Sequence, residues 1–275
     1  PQLLLEKLKG TIVIDEIQRK PELFPLLRVL ADHHPGQKYI ILGSASGVLL
    51  KQSSESLAGR ISYHYLSGFN IADIGIHDWQ KLWMRGGFPR SFLAQNSKAS
   101  QEWLDNYVTT FLEKDIPQLG ITIPAQTLRR FWMMLCHYHG QVINFSEIGL
   151  SFGVSDMTVR KYIDILEGAF MIRILQPWFG NIGKRLVKRP KIYFKDSGLF
   201  HHLLSINQQK DLLTHPKLGT SWEGFALENI ISFLGLKPQE SFFWNAHSGA
   251  EVDLFWQAHG KSWAIEFKYS DAPQL

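Results

Sequence analysis

Short apolar runs and amphipathic stretches alternate over the first 66 residues. TIVI (11–14) and KYIIL (38–42) contain apolar residues without alternation, which predicts two strands of a parallel sheet buried on both faces. Between them, PELFPLLRVLADH (21–33) has helical spacing and begins with a proline, a good first-turn residue. ISYHYL (61–66) is interpreted as a further short apolar run of this region. Strand–helix–strand order is typical of the α/β class.

The pattern becomes helical from about residue 75 to 175 and mixed after about residue 181. RGGFP (85–89) predicts a turn between helices. After a basic stretch, the spacing predicts a short helix near 197–204, a longer one over 221–234, and two closing strands.

Composition and charge narrow the class of protein. The 275 residues are 45% hydrophobic and 20% charged, which is ordinary globular usage and excludes disordered, collagen-like and coiled-coil chains. A net charge of +4 is compatible with a nucleic-acid partner without requiring one. The single cysteine, Cys136, favours a reducing cytoplasm, and the apolar stretches are too short for a membrane span. We therefore predict a cytoplasmic protein that does not cross a membrane.

An acidic pair, Asp15 and Glu16, directly follows the first predicted strand. Ligands of open α/β sheets bind at the carboxyl ends of the strands. In nucleoside triphosphatases the first such carboxylate holds Mg²⁺ through water, and the second orients the attacking water. Ser44 and Ser46, after the second strand, could sense a γ-phosphate. The alternative is a strand that simply leads into a polar loop.

A phosphate-binding loop is not found in this chain. Such a loop requires Gly-x4-Gly-Lys-Ser/Thr, because backbone N–H groups and one lysine surround the phosphates. Gly260-Lys261-Ser262 has Phe255 where the first glycine would be, and Gly183-Lys184 has Trp178 there. Because the first residue is Pro1, we interpret the N-terminus as a cut, with the loop expected upstream.

The two closing strands predict a hairpin with acidic residues on one face. If His259 and Gly260 form the loop, Asp253 opposes Glu266 and Glu251 opposes Lys268. The apolar side chains then share the other face: Val252, Leu254, Trp256, Trp263, Ile265 and Phe267.

Two opposed carboxylates repel each other unless a cation binds between them. At about 5 Å they repel by roughly 3 kcal/mol at an effective dielectric of 20, and a divalent cation reverses that sign. Lys268 could position a water, and Glu223 of the preceding helix supplies a further carboxylate. Asp, then Glu-x-Lys on the next strand, with a helical Glu, is the layout of PD-(D/E)XK nucleases. The alternative is a solvated hairpin face with a Glu251–Lys268 ion pair.

Two further features could contact nucleic acid. NFSEIGLSFGVSDMTVRKYIDILEG (144–168) resembles a helix-turn-helix with Arg160 and Lys161 on its outer face, and residues 171–178 could supply the strand of a winged helix. A basic run follows, made of Lys184, Arg185, Lys188, Arg189 and Lys191. A protein-packing winged helix and a solvated edge strand are the alternatives.

These motifs occur in the same order in a prokaryotic family. VIDEIQRKPELFPLLRVL, SLAGR, RGGFPRSFL, GVSDMTVRKYIDILEGAF, GTSWEGFALENII and GAEVDLFW with AIEFKYS resemble the bacterial and archaeal AAA-type ATPases that carry a C-terminal domain of unknown function. The resemblance implies that Asp15 and Glu16 are the Walker B pair, that Ser44 or Ser46 is the sensor, and that Arg60 could reach a nucleotide phosphate.

The resemblance also implies an α/β fold class and a domain order. A partial P-loop ATPase parallel sheet (1–74) is followed by a helical lid or connector (75–119), a winged helix-turn-helix (120–180) and a restriction-endonuclease-like domain (181–275). ATP and Mg²⁺ are the expected ligands of the full-length protein, and DNA is a candidate partner. The sites predicted from the residues and the resemblance are catalytic (Asp15, Glu16, Glu266, Lys268), metal-binding (Asp15, Glu223, Asp253, Glu266) and nucleic-acid-binding (Arg160, Lys161, Lys184, Arg185, Lys188, Arg189). The rival functions are a metal-dependent endonuclease and a non-catalytic nucleic-acid or protein-binding module.

Overall fold

The computed structural model describes residues 2–43, 57–118, 123–179, 189–245 and 251–269. The chain divides into two compact units. Unit 1 comprises Pro1–Leu66 and Ile163–Phe170, and unit 2 comprises Ser67–Tyr162 and Met171–Leu275. Among the described residues, no helix has both the length and the apolar character needed to cross a membrane.

Unit 1 contains the predicted strand–helix–strand motif. Its elements are α1 (Gln2–Lys7), β1 (Thr11–Ile14), a 3₁₀ turn (Ile17–Arg19), α2 (Leu23–His33) and β2 (Lys38–Ile41). The strands are parallel, with Thr11 opposite Lys38 and Ile14 opposite Ile41. Helix α2 buries Phe24, Leu27 and Leu30, which repeat at three-residue spacing on one face.

Burial of the two strands differs from the sequence-based expectation. Val13 is 57% exposed and Ile40 is 48% exposed, so the described part of the chain covers one face of this strand pair and leaves the other open. Residues 61–66 form no strand, and Tyr65 and Leu66 are exposed. Apolar composition alone could not distinguish a two-sided core strand from a one-sided one.

The first part of unit 2 is helical, as predicted. The helix Ser97–Thr110 continues through a short π-helical stretch, Phe111–Asp115, into Ile116–Gln118. The last residues of the helix Asp156–Gly168 belong to unit 1. The helices are α3 (Ile71–Ile74), α4 (Trp79–Arg85), α5 (Pro89–Phe92), α6 (Ser97–Thr110), α7 (Ala125–His137), α8 (Phe145–Phe152) and α9 (Asp156–Gly168). Cys136 is fully buried in α7, as a small core side chain.

A mixed sheet forms the second part of unit 2. Its described strands are β3 (Gln141–Val142), β4 (Ile172–Pro177), β5 (Lys191–Phe194), β6 (Phe242–Asn245), β7 (Glu251–Ala258) and β8 (Lys261–Ile265), in the order β3-β5-β4-β6-β7-β8. Strands β4 and β6 are parallel, and the other neighbours are antiparallel. The helices here are α10 (Ser197–Leu203), α11 (Gln209–Leu213) and α12 (Leu218–Leu234). Leu227 and Ile231 of α12 share a core with Leu175, Phe243 and Leu254.

The predicted wing strand belongs to this sheet. Strand β4 pairs with β5 on one side and with β6 on the other. The predicted boundary at residue 180 therefore lies inside one compact unit, between strands that share hydrogen bonds. The mixed α/β class is confirmed, and the P-loop and restriction-endonuclease-like arrangements stay predictions.

The hairpin register is the one predicted from the sequence. Leu254 pairs with Ile265, Trp256 with Trp263, and Ala258 with Lys261. His259 and Gly260 have positive φ values of 52° and 72°, which a type I′ turn requires at both central positions. On the other side of β7 the register with β6 shifts between Phe242 and Trp244. This irregularity adds one residue to β7 near Asp253 and Leu254, both of which are buried.

A half-buried carboxylate joins the RGGFP turn to α10. Asp196 caps the helix by accepting from the Leu199 N–H at 2.7 Å, and it accepts from the Gly87 N–H at 2.7 Å. A Cβ on Gly198 would lie 2.1 Å from the Arg85 carbonyl oxygen, so only glycine fits. Burial raises the pKa of Asp196 to about 6, against these hydrogen bonds.

Candidate functional sites

The acidic pair of unit 1 lies at the carboxyl edge of its two parallel strands. Leu42 donates from its N–H to the Ile14 carbonyl at 2.8 Å, and Ile17 donates to the Leu42 carbonyl at 3.3 Å. These bonds hold the two strand ends side by side. Asp15 and Glu16 are exposed there, and the Glu16 N–H donates to Asp15 Oδ1 at 2.9 Å. Glu16 has a left-handed backbone, with φ 52°, so the chain turns sharply at this point.

Arg60 is held by an aspartate of the same unit. Its Nε donates to Asp32 Oδ1 at 2.6 Å and its Nη2 donates to Oδ2 at 3.0 Å, a two-point contact. The hydrogen bond from Arg60 lowers the pKa of Asp32. A phosphate would have to compete with this carboxylate for the guanidinium. Ser44 and Ser46, the predicted sensors, lie outside the described residues.

Three acids of unit 2 surround Lys191, a residue of the predicted basic run that is buried in the structure. Lys191 begins β5, and its side chain is 6% exposed. Its Nζ lies 3.4 Å from Glu223 Oε1 of α12 and 3.4 Å from Asp253 Oδ1 of β7, and it also pairs with Glu251. We call these four residues the Lys191 cluster.

Two neighbouring groups also donate to carboxylate oxygens of the Lys191 cluster. The Tyr193 hydroxyl donates to Glu223 Oε1 at 2.5 Å, and the Phe267 N–H donates to Asp253 Oδ2 at 2.9 Å. Burial raises the pKa of Glu223 to about 7, with a contribution from Asp253 and opposition from Lys191. Burial disfavours the Lys191 ammonium, but its three carboxylate partners outweigh burial and raise the pKa of Lys191.

Glu266 and Lys268, the predicted catalytic residues of unit 2, are partly exposed. They form an ion pair with each other at 2.9 Å, and their side chains are 44% and 40% exposed. Asp253 instead faces inward, beside the irregularity of β7. Within the described ranges, no group of three or more His, Cys, Asp or Glu side chains is arranged to hold a metal ion. The catalytic and metal-binding roles assigned to these residues stay predictions.

Helices α8 and α9 are joined by a short turn, as the predicted helix-turn-helix requires, and the winged helix stays a prediction. Gly153 is left-handed at φ 65°, and the Ser155 hydroxyl accepts from the Thr158 N–H at 3.2 Å at the start of α9. Arg160 lies over the Phe145 ring at 3.9 Å, and Lys161 is exposed.

The basic run is only partly described. Arg189 is exposed, whereas Lys184, Arg185 and Lys188 lie outside the described residues. The nucleic-acid contacts assigned to these side chains, and to Arg160 and Lys161, therefore stay predictions.

Two buried histidines are core residues. The Phe194 N–H donates to His139 Nδ1 at 3.0 Å, so Nε2 carries the proton and donates to the Thr220 carbonyl at 3.0 Å. His201 contacts the Met84 carbonyl through Nδ1 and the Ser221 hydroxyl through Nε2. Burial lowers the pKa of His139 to about 3 and that of His201 to about 4, so both rings are neutral.

A polar cleft of about 770 Å³ lies elsewhere in unit 2. Its lining includes Lys81, Arg85, Lys98, Gln101 and Gln208. Of the predicted functional residues that the structure describes, none lines this cleft.

Three segments of the chain match sequence-family models. Residues 1–74 match the model described as "AAA domain". Residues 76–210 match "Domain of unknown function (DUF8612)", and residues 218–275 match "Domain of unknown function (DUF4143)".

Two mycobacterial proteins are similar to the whole chain. Uncharacterized protein Mb2031c of Mycobacterium bovis and Uncharacterized protein Rv2008c of Mycobacterium tuberculosis are each 46% identical to it over 276 aligned residues. The alignments cover 100% of this chain and 62% of each relative, so the chain spans less than two thirds of their length. The segment matches support an AAA-type ATPase-like protein that carries domains of unknown function.

Proposed function

We propose that this protein hydrolyses ATP, with Asp15 and Glu16 as its Walker B pair. One observation carries the proposal: two exposed carboxylates follow β1 directly, at the carboxyl edge of the parallel β1–β2 pair, within the segment that matches an AAA domain. This edge is where parallel α/β sheets bind ligands.

The two carboxylates have different roles in this proposal. Asp15 would hold Mg²⁺ through water, because Mg²⁺ is a hard cation suited to oxygen ligands. Bound with ATP, this ion would neutralise phosphate charge. Glu16 orients the attacking water and accepts its proton. Ser44 or Ser46 would sense the γ-phosphate. Arg60 would give up its hydrogen bonds to Asp32 and donate to a phosphate oxygen.

The test uses the full-length protein, including any residues that precede this chain in its gene. We expect Mg²⁺ and ATP to raise the melting temperature and to be turned over. Glu16→Gln should keep the ATP-dependent shift but lower turnover by about 10²-fold or more, because it retains size and loses the base. Asp15→Asn should lower the Mg²⁺ dependence of the shift.

Glu22→Gln is the matched control. Glu22 lies six residues from Glu16 in the same unit, at the surface, and pairs with Lys20 at 3.5 Å. Its substitution should leave both readouts unchanged. The proposal is wrong if the full-length protein shows no nucleotide-dependent shift with Mg²⁺, or if Glu16→Gln and Glu22→Gln turn over ATP at equal rates.

The role of the C-terminal segments is a separate question. A DNA-associated, nuclease-like module stays a prediction. Its carboxylates require a cation, and the contacts of the Lys191 cluster indicate which cation that is.

A further inference from the structure

The position that a metal would take among the unit 2 carboxylates is occupied by an ammonium group. Glu223, Glu251 and Asp253 come from a helix and a strand that are distant in sequence from β5, and all three contact Lys191 Nζ. A divalent cation bound by the same three carboxylates would have to stand where Nζ stands.

The chemistry of Lys191 matches its surroundings. A lysine ammonium has three N–H donors, and three carboxylates surround this one. The aliphatic part of the side chain is enclosed, and Nζ also lies 5.6 Å from the centre of the Phe243 ring. Each of the three carboxylates already contacts this cation, so the ammonium offsets part of the like-charge repulsion between them without a metal.

Glu266, the remaining predicted metal ligand of unit 2, is engaged elsewhere. Glu266 pairs with Lys268 at the surface, and Asp253 uses its second oxygen to accept from the Phe267 N–H. The residues present therefore do not fit the metal centre that the nuclease-like layout implies.

We infer that Lys191 is the resident cation of this site and replaces a divalent metal ion. The cluster joins β5, α12 and β7 through one ammonium group. The C-terminal module accordingly binds no divalent ion through Asp253 and cleaves no phosphodiester bond there.

Manganese binding to the full-length wild-type protein tests this inference directly. We expect the paramagnetic resonance signal of free Mn²⁺ to decrease equally with wild type and Asp253→Asn, because Asp253 holds no ion. The comparison isolates the cluster, since any Mn²⁺ held at Asp15 is common to both proteins. Wild-type binding tighter than ~1 mM that is lost in Asp253→Asn would overturn the inference, whatever the outcome for the ATPase proposal.

Lys191→Met provides the complementary test. Methionine keeps most of the side-chain length and removes the charge, leaving three adjacent carboxylates free to take a metal. We expect a Mn²⁺ site that wild type lacks, with a dissociation constant of ~1 mM or below, which adding Asp253→Asn abolishes. Lys210→Met, at an exposed position of α11, is the control and should gain nothing.

The variant measurement has two informative outcomes. A folded Lys191→Met protein that gains no Mn²⁺ affinity would show that Nζ does not stand in for a metal. If the substitution prevents folding, the comparison of wild type with Asp253→Asn still decides the matter, because Asn retains the shape of Asp and its acceptor for the Phe267 N–H.

Discussion

Replacing Glu223 by glutamine should make the stability of the protein less sensitive to alkaline pH. Glu223 is 14% exposed, and burial raises the pKa of its carboxyl from 4.5 to about 7. A raised folded-state pKa means that the folded protein holds this proton more tightly than the unfolded chain does. Wild type therefore loses stability as pH rises through 7, whereas glutamine does not titrate.

The size of the effect follows from that pKa. Between pH 6 and pH 8 the wild-type free energy of unfolding should fall relative to Glu223→Gln by about 1.3 kcal/mol, since one pKa unit corresponds to about 1.36 kcal/mol. Other titrating groups are shared by both proteins and cancel to first order. Glutamine keeps an oxygen that can accept from the Tyr193 hydroxyl, so the comparison reports mainly on charge.

Urea unfolding followed by tryptophan fluorescence at pH 6, 7 and 8 measures this difference. Glu102→Gln is the control: Glu102 is 64% exposed on α6, with Lys98 at 3.9 Å, and its substitution should give a difference that does not change with pH. A difference between wild type and Glu223→Gln that stays within about 0.3 kcal/mol over this range, or that changes with the opposite sign, would refute the reasoning.

Two further predictions concern packing and buried histidines. Gly198→Ala should lower the stability of unit 2 by at least about 2 kcal/mol, because its Cβ would lie 2.1 Å from the Arg85 carbonyl oxygen. Gly219→Ala, at an open position of α12, should be neutral or stabilising by up to about 1 kcal/mol. Equal melting temperatures of the two variants would contradict this prediction. The rings of His139 and His201 should show no titration between pH 5 and 8 by NMR, because their pKa values are about 3 and 4. Folding becomes less favourable as pH falls below about 6.5, because the unfolded histidines take up protons there and the buried rings do not. A titration midpoint near 6.5 for either ring would contradict burial as the cause of its lowered pKa.

Local sequence patterns predicted the local structure well. The parallel pairing of β1 and β2 and the register of the β7–β8 hairpin follow from apolar runs and from a two-residue turn whose positive φ values suit glycine. The hairpin depends on residues close together in the chain, and the β1–β2 pair depends on two strands joined by one helix. The same reasoning placed Asp15 and Glu16 at a strand end.

The Lys191 cluster could not be predicted in this way because it depends on long-range geometry. Lys191 ends a basic run, which indicates a surface, and its burial follows only from pairing of β5 with β4 and from packing near α12. The signal available in the sequence was weak: Lys191 is followed directly by Ile192, Tyr193 and Phe194, all buried in the fold. The irregularity of β7, where Asp253 and Leu254 are both buried, likewise breaks the alternation that sequence reasoning assumes.

Strand β4 links two segments that match different sequence-family models. Strands β3, β4 and β5 come from the segment 76–210, and β6, β7 and β8 come from the segment 218–275, yet β4 and β6 share backbone hydrogen bonds. The ammonium of Lys191 belongs to the first segment and its carboxylate partners to the second. Removing either segment would therefore leave a strand edge and a buried charge of the other without a partner, so the two should fold as one cooperative module.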